Sequence, residues 1–354
     1  MSTPAADAVA QRVFDASLGA IDLLSIHLGD RLGWYRSLAD QGAATADELA
    51  ERTSTHPRYA REWLEQQSVT GLLTADDGEP RRFALVPGAA EVFTDEKSLA
   101  YLAPLARIFV AATTQMPALI DAYRTGGGVG WAQYGVDARE SQADMNRPWY
   151  EQVLPGALAS VPEVDTLLRT PGAAIADVGC GGAWSTIALA RAYPEARLDG
   201  YDIDSATVEL ATDNVRAQGD LADRITIIES DAAGIPEGAY TAAFAFECIH
   251  DMPAPVDVLT AVRKALAPGG VMIVMDEAVD DEFSAPGSDT ERLMYGFSLT
   301  VCLPDGMSHS PSAATGTVMR PSTLRNYAEA AGFGSMDILP IEDFGFWRFY
   351  RLTV

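Results

Sequence analysis

Residues 173–185 read AAIADVGCGGAWS and run directly into the helix-forming TIALARAY. A short apolar run closing on Asp177, then Gly179-Cys180-Gly181-Gly182, then a helical segment, spells strand, tight glycine turn and helix N-terminus. Glycines at such a turn let backbone N–H groups come close to a ligand, which suits a nucleotide-like cofactor. A second strand, RLDGYDID from Arg197 to Asp204, puts Asp202 about 20 residues further on, where a ribose-binding carboxylate belongs. A dinucleotide fingerprint needs Gly or Ala at position 184 for close helix packing, and the Trp184 found there disfavours NAD.

Working outward, short apolar runs recur at Arg197–Ile203, Ile225–Ile228, Tyr240–Phe246 and Val271–Met275, separated by helical stretches such as Ser205–Gln218. This alternation predicts a doubly wound parallel α/β sheet. The chain closes differently, with a helix over Ser322–Ala331 and two strands near Met336–Ile341 and Phe346–Val354. Two strands joined by so short a connection pair antiparallel, because a parallel crossover needs roughly a dozen residues or more.

DVGCGG with Asp202, ESDA at Glu229–Ala232 and ALAPGGVMIVMDE at Ala265–Glu277 together resemble a class I S-adenosylmethionine (SAM) dependent methyltransferase, in order and spacing, over the C-terminal half of the chain. The resemblance implies a seven-stranded Rossmann-like sheet ending in an antiparallel hairpin. It also implies SAM as cofactor, S-adenosylhomocysteine as product, and no metal. Carried over residue by residue, Gly179 and Gly181 pass the methionine part, and Asp177 fixes the turn and reaches the amino group through water. Asp202, beside Ile203, takes both ribose hydroxyls, since a carboxylate presents two acceptors. Asp231 and the Ala232 N–H meet the adenine, and Phe246 and Glu247 line the methionine end. Taken singly, each of these acids fits a helix cap or a solvated loop charge as well.

Next comes CIHDMPAPVDVL. In the O-methyltransferases that this chain resembles, a His-Asp segment after the fourth strand of the sheet supplies the general base, here His250. A neutral imidazole of ordinary pKa, about 6.5, suits proton removal near neutral pH; a histidine capping a turn is the plainer alternative. Glu277 matches the family's orienting glutamate. A second one is expected just before Arg320, but Met319 stands there, so the carboxylate support reads as incomplete and transfer to oxygen, nitrogen or carbon stays open.

The insertion 278–319 is expected to cap the substrate. There Met294, Tyr295, Phe297, Leu299 and Val301 form an apolar stripe with Cys302 at its edge, suited to a small, fairly apolar acceptor or to plain core packing. Upstream, Gly126-Gly127-Gly128-Val129-Gly130 reads as a hinge. SQADMNRPWYEQ then offers Asn146, Arg147, Trp149 and Tyr150 as residues that close over cofactor or substrate, or that belong to an ordinary interdomain helix.

The first part of the chain is helical over about Ala8–Leu38, with Val9, Val13, Leu18, Ile21, Leu24, Leu28 and Leu32 forming one stripe that needs a partner. Thr45–Leu85 reads helix, turn, helix and two strands around Asp77-Gly78, a winged-helix pattern. The division expected is 1–95 winged-helix dimerisation domain, 96–168 helical linker and active-site cap, and 169–354 SAM-binding domain.

A winged helix also suggests a SAM-binding DNA regulator. Arg58 and Arg61 share the second helix with Glu62 and Glu65, and the chain carries a formal net charge of -25, which opposes phosphate binding and anionic lipid. A homodimer acting on a small molecule, with no nucleic-acid or membrane partner, is the expectation. Three cysteines without CxxC spacing, and the lack of a basic then apolar leader, point to the cytoplasm.

Overall fold

The computed structural model describes residues 3–231 and 234–354. By internal contacts the chain parts into two compact units, Met1–Ala111 and Ala112–Val354.

In the first unit, the long helix starts at Pro4 behind a Thr3 cap and ends at Arg31. It does not run on to Leu38 as the stripe suggests, because Gly33 at φ +70° turns the chain before the helix Trp34–Gln41. The helix Ala46–Thr53 begins in a capping box of Thr45 with Glu48. The helix Pro57–Val69 follows, then β1 (Leu73–Ala75) pairs antiparallel with β2 (Phe83–Leu85). Trp34, Tyr35, Leu49, Trp63, Leu64 and Phe83 form this unit's core. The fold is the expected winged helix. Its second helix locks its arginines internally, Arg58 on Glu62 at 2.5 Å and Arg61 on Glu65 at 2.8 Å.

The second unit is built on seven strands: β3 (Ala174–Val178), β4 (Arg197–Asp202), β5 (Ile225–Glu229), β6 (Tyr240–Phe246), β7 (Leu266–Glu277), β8 (Ser335–Ile338) and β9 (Trp347–Thr353). Their order is β5-β4-β3-β6-β7-β9-β8, parallel through β7 and antiparallel for the two β9 pairings. The doubly wound sheet with its terminal hairpin is therefore present. β7 starts five residues earlier than its apolar run, since Leu266 already pairs with Tyr240 before a register shift.

Both faces of the sheet are covered. Ile175, Leu198, Phe244, Ile273 and Phe349 point to one core, and Ala176, Tyr201, Ala243, Met272 and Tyr350 to the other, the period-two consequence of the pleat. The order reverses at β3, which has β4 on one side and β6 on the other. Ligands of open α/β sheets bind at such a switch point. Among the described residues, no single helix is long and apolar enough to cross a membrane.

Candidate active site

Register brings the chemistry-bearing residues to one edge. Asp177 pairs across to Gly200 on β4 and Phe244 on β6, Asp202 is level with Glu229, and Glu277 is level with Trp347. The turn after β3 is stitched to β4 by the N–H groups of Gly179 and Cys180, which both donate to the Tyr201 carbonyl. Gly179 sits at φ +71°, and a Cβ there would lie 2.9 Å from Cys248, so that position accepts no side chain. At Gly181, φ +52°, an added Cβ meets only open space, which leaves the turn's backbone accessible.

Asp177 is buried and accepts from the hydroxyls of Ser185 and Thr186, each at 2.6 Å, tying the strand end to the helix Trp184–Ala192. Its other oxygen is buried without a partner. Burial pushes its carboxyl up to about 6 against those two hydrogen bonds. Asp202 accepts the Gly181 N–H at 3.0 Å and the Asp204 N–H at 3.0 Å, and burial raises its pKa. Ile203 beside it is exposed. Asp231 is exposed in the loop joined to β4 through the bond from Ser230 N–H to the Asp202 carbonyl; Ala232 lies outside the described residues.

The fit to SAM rests on these features: a glycine turn with open space at Gly181, a carboxylate at the end of β4, and buried acceptor oxygens lacking donors on Asp177 and Asn146. Glu247 completes this end. It is a non-glycine residue at φ +50°, a strained backbone of the kind that clusters at functional sites. Its carboxylate accepts from Trp347 Nε1, from Asn146 Nδ2 and, at 3.4 Å, from Gln142 Nε2. Burial nevertheless pushes it up to about 7.

Phe246 is a core ring, stacked on Phe244 and tilted against Tyr150. Trp149 packs on Phe344 and Trp347. Trp149 and Tyr150 belong to the helical stretch Trp131–Gln152, which is broken at Gly135, φ +76°, and runs on through Pro148.

His250 is buried, with Nδ1 2.8 Å from Asp276 Oδ1 and 3.3 Å from Glu277 Oε2, and Nε2 3.1 Å from Asp251 Oδ1. The carboxylate support that Met319 fails to offer is thus supplied by Asp276 and Asp251, two residues that sequence reading missed although both adjoin ones it named. Asp276 is the nearer partner, ahead of Glu277. Burial opposes the charged imidazole, but the three carboxylates override it and hold His250 well above its ordinary pKa. That corrects the expectation of an ordinary imidazole.

Over this cluster lies the insertion. The helix Asp289–Phe297 continues as a π-helix over Ser298–Cys302, a widening that recurs at functional sites. The Leu299 and Thr300 carbonyls accept from the hydroxyls of Tyr123 and Tyr134. Cys302 comes to lie beside His250, its thiol pushed up to about 12 by burial. Met294 is buried, and Tyr295 is on the outside, 3.4 Å from Arg320, which also pairs with buried Glu291. The Gly128 hinge is packed, not loose, against Pro304 and Ser308, and Val129 N–H donates to the Pro304 carbonyl.

Comparison with known proteins agrees with this geometry. Residues 175–270 match the family described as Methyltransferase domain, and residues 19–95 match the Rv2258c-like winged HTH domain. The 3-amino-4-hydroxybenzoate 4-O-methyltransferase of Streptomyces cremeus is 25% identical over 349 residues, 96% of this chain and 89% of that protein. Among solved structures, the mitomycin 7-O-methyltransferase superposes with a TM-score of 0.72 at 22% identity, over 99% of each chain. Human N-acetylserotonin methyltransferase in complex with SAM gives 0.68 at 17% identity, over 98% of this chain and 97% of that one. With the glycine turn, the Asp202 carboxylate and the terminal hairpin in place, this chain is an enzyme of the class I SAM-dependent methyltransferases, in the form that carries an N-terminal winged-helix domain.

Proposed function

We propose that the enzyme methylates a hydroxyl of a small, fairly apolar molecule. SAM supplies an electrophilic methyl on its sulfonium sulfur. Asp177, Gly179, Gly181, Asp202, Ile203, Asp231, Ala232, Phe246 and Glu247 are the proposed cofactor residues, His250 the base and Glu277 its secondary support. Trp149, Tyr150, Met294, Tyr295 and Cys302 are proposed for the acceptor side.

The observation that carries the reading is the buried contact of His250 Nδ1 with Asp276, at 2.8 Å. A carboxylate on Nδ1 keeps a proton there and leaves Nε2 as the reactive nitrogen, the same logic by which an acid orients a histidine in hydrolases. The acceptor hydroxyl takes the place of Asp251 at Nε2, and with that carboxylate displaced the imidazole receives the proton as oxygen attacks. O-methylation is also what the name of the Streptomyces cremeus relative states for that protein.

The N-terminal helix supports a homodimer: Val9, Val13, Phe14, Ile21 and Leu28 are each more than half exposed along it. A row of that size on one helix calls for a partner face. We propose 1–95 as the dimerisation domain, 96–168 as linker and cap, and 169–354 as the catalytic domain. The three free cysteines fit a cytoplasmic setting. DNA regulation is not favoured, because Arg58 and Arg61 are already paired.

The test is turnover with hydroxylated acceptors. His250→Ala and His250→Gln should each lose about 10²- to 10⁴-fold while keeping SAM affinity. Full activity in both variants, or a Gln variant that retains most of it, removes His250 as base and moves the reading to amine or carbon acceptors.

A further inference from the structure

We infer that His250 Nε2, the Asp251 carboxylate and Cys302 Sγ form a site for a thiophilic divalent cation such as Zn2+, which occupies the reactive nitrogen of His250 when bound. The three donor atoms lie within 4.8 Å of one another. They come from separate parts of the chain, the turn after β6 and the π-helical segment within the insertion.

Three observations make this more than proximity. First, Asp251 Oδ1 is buried 3.1 Å from Nε2, so one nitrogen and one oxygen donor already lie side by side. Second, His250 is oriented from behind by Asp276 at 2.8 Å on Nδ1. A carboxylate on the far nitrogen of a ligating histidine is the usual support of zinc sites, fixing the tautomer and raising the basicity of the ligating nitrogen. Third, the Cys302 thiol is buried next to both His250 and Thr317, which sets its sulfur beside the imidazole.

The donor set decides the ion. Imidazole nitrogen, thiolate sulfur and one carboxylate oxygen match Zn2+ with a fourth position open, whereas Mg2+ and Ca2+ select all-oxygen sets. On binding, the thiol proton of Cys302 and any proton on Nε2 leave to solvent, and no redox step is involved. An ion at Nε2 occupies the nitrogen proposed above as base, so occupancy stops methyl transfer. That last clause rests on the functional reading; the site itself does not.

The test uses the full-length reduced protein and Co2+ as a spectroscopic stand-in for Zn2+. Addition of Co2+ should produce a near-ultraviolet thiolate-to-cobalt charge-transfer band together with intense visible bands of four-coordination, and Zn2+ should abolish both with a stoichiometry of one per chain. Cys302→Ala should lose the charge-transfer band, and both Cys302→Ala and Asp251→Asn should weaken Zn2+ by about tenfold or more. His309→Ala, a surface histidine, should change neither. Circular dichroism establishes that each variant is folded, and Cys302→Ser serves if the alanine variant is not.

Wild-type protein without the thiolate band, or a folded Cys302 variant that binds Zn2+ as tightly as wild type, overturns the proposal. Because the cobalt spectra are read without acceptor, failure of the methylation assay leaves them standing. Failure of the spectra likewise leaves the reading of His250 as base untouched.

Discussion

Asp276 Oδ1 lies 2.8 Å from His250 Nδ1, with both side chains buried, and also accepts the Glu277 N–H at 3.1 Å. One carboxylate therefore fixes both the imidazole and the end of β7. Asp276→Asn keeps the shape but offers an amide that stabilises the wrong tautomer. Turnover should fall by about 10²- to 10⁴-fold. Calorimetric SAM affinity should hold within about twofold, because the proposed cofactor contacts come from other strand ends. Equal losses of affinity and turnover would mean that the pair only holds the fold together.

Asp202 carries a second expectation. Its carboxylate accepts the Gly181 N–H at the carboxyl end of β4, the place proposed for the ribose. Asp202→Ala removes charge-assisted bonds worth about 1.5 to 3 kcal/mol each, so SAM should bind at least about tenfold more weakly. Unchanged affinity by calorimetry would place the ribose elsewhere.

Glu247 sets a pH dependence. Its pKa is raised from an ordinary 4.5 to about 7 by burial. The folded state thus holds the proton more tightly than the unfolded chain does. The resulting stability is complete below pH 4.5 and is lost as pH rises to about 7, a change on the order of 3 kcal/mol. Denaturant unfolding of the cofactor-free enzyme should show this decline in wild type and a flatter profile in Glu247→Gln, whatever constant offset the amide introduces. Parallel profiles would mean that the carboxylate titrates normally.

Gly128 is a steric prediction. A Cβ there would lie 2.2 Å from both the Pro304 carbonyl oxygen and the Ser308 nitrogen, backbone atoms that cannot swing aside. Gly128→Ala should lower stability by about 1 to 3 kcal/mol through overpacking. Gly127→Ala, with only the Thr125 hydroxyl at 3.7 Å, serves as the tolerated control. Equal melting temperatures for the two would show that the hinge is not held against the insertion.

The N-terminal stripe predicts assembly. Phe14→Asp with Ile21→Asp places charge on residues 58% and 53% exposed, where the folded protomer has nothing to lose. Sedimentation should show wild-type dimers and variant monomers of unchanged circular dichroism. A variant that sediments as wild type would move the interface elsewhere.

Residues 173–185 determined the strand, the turn and the helix that follows, because glycine conformation, apolar run length and capping are local properties. The alternating runs out to Met275 and the closing pair of strands likewise determined a doubly wound sheet with a hairpin, since crossover length alone excludes parallel pairing at the end. The capping of the helix Ser205–Arg216 by Asp204, which accepts the Thr207 N–H, is local in the same sense.

Local pattern failed where one residue overrode it: Gly33 broke a continuous helical stripe. The surroundings of His250 were decided only by tertiary structure. Asp276 reaches Nδ1 because β6 and β7 are adjacent and in register, Asp251 because the chain turns back after His250, and Cys302 because a π-helix brings it there. Each depends on Coulomb interactions and desolvation between groups up to 52 positions apart, from His250 to Cys302, and the sequence alone records no such distance.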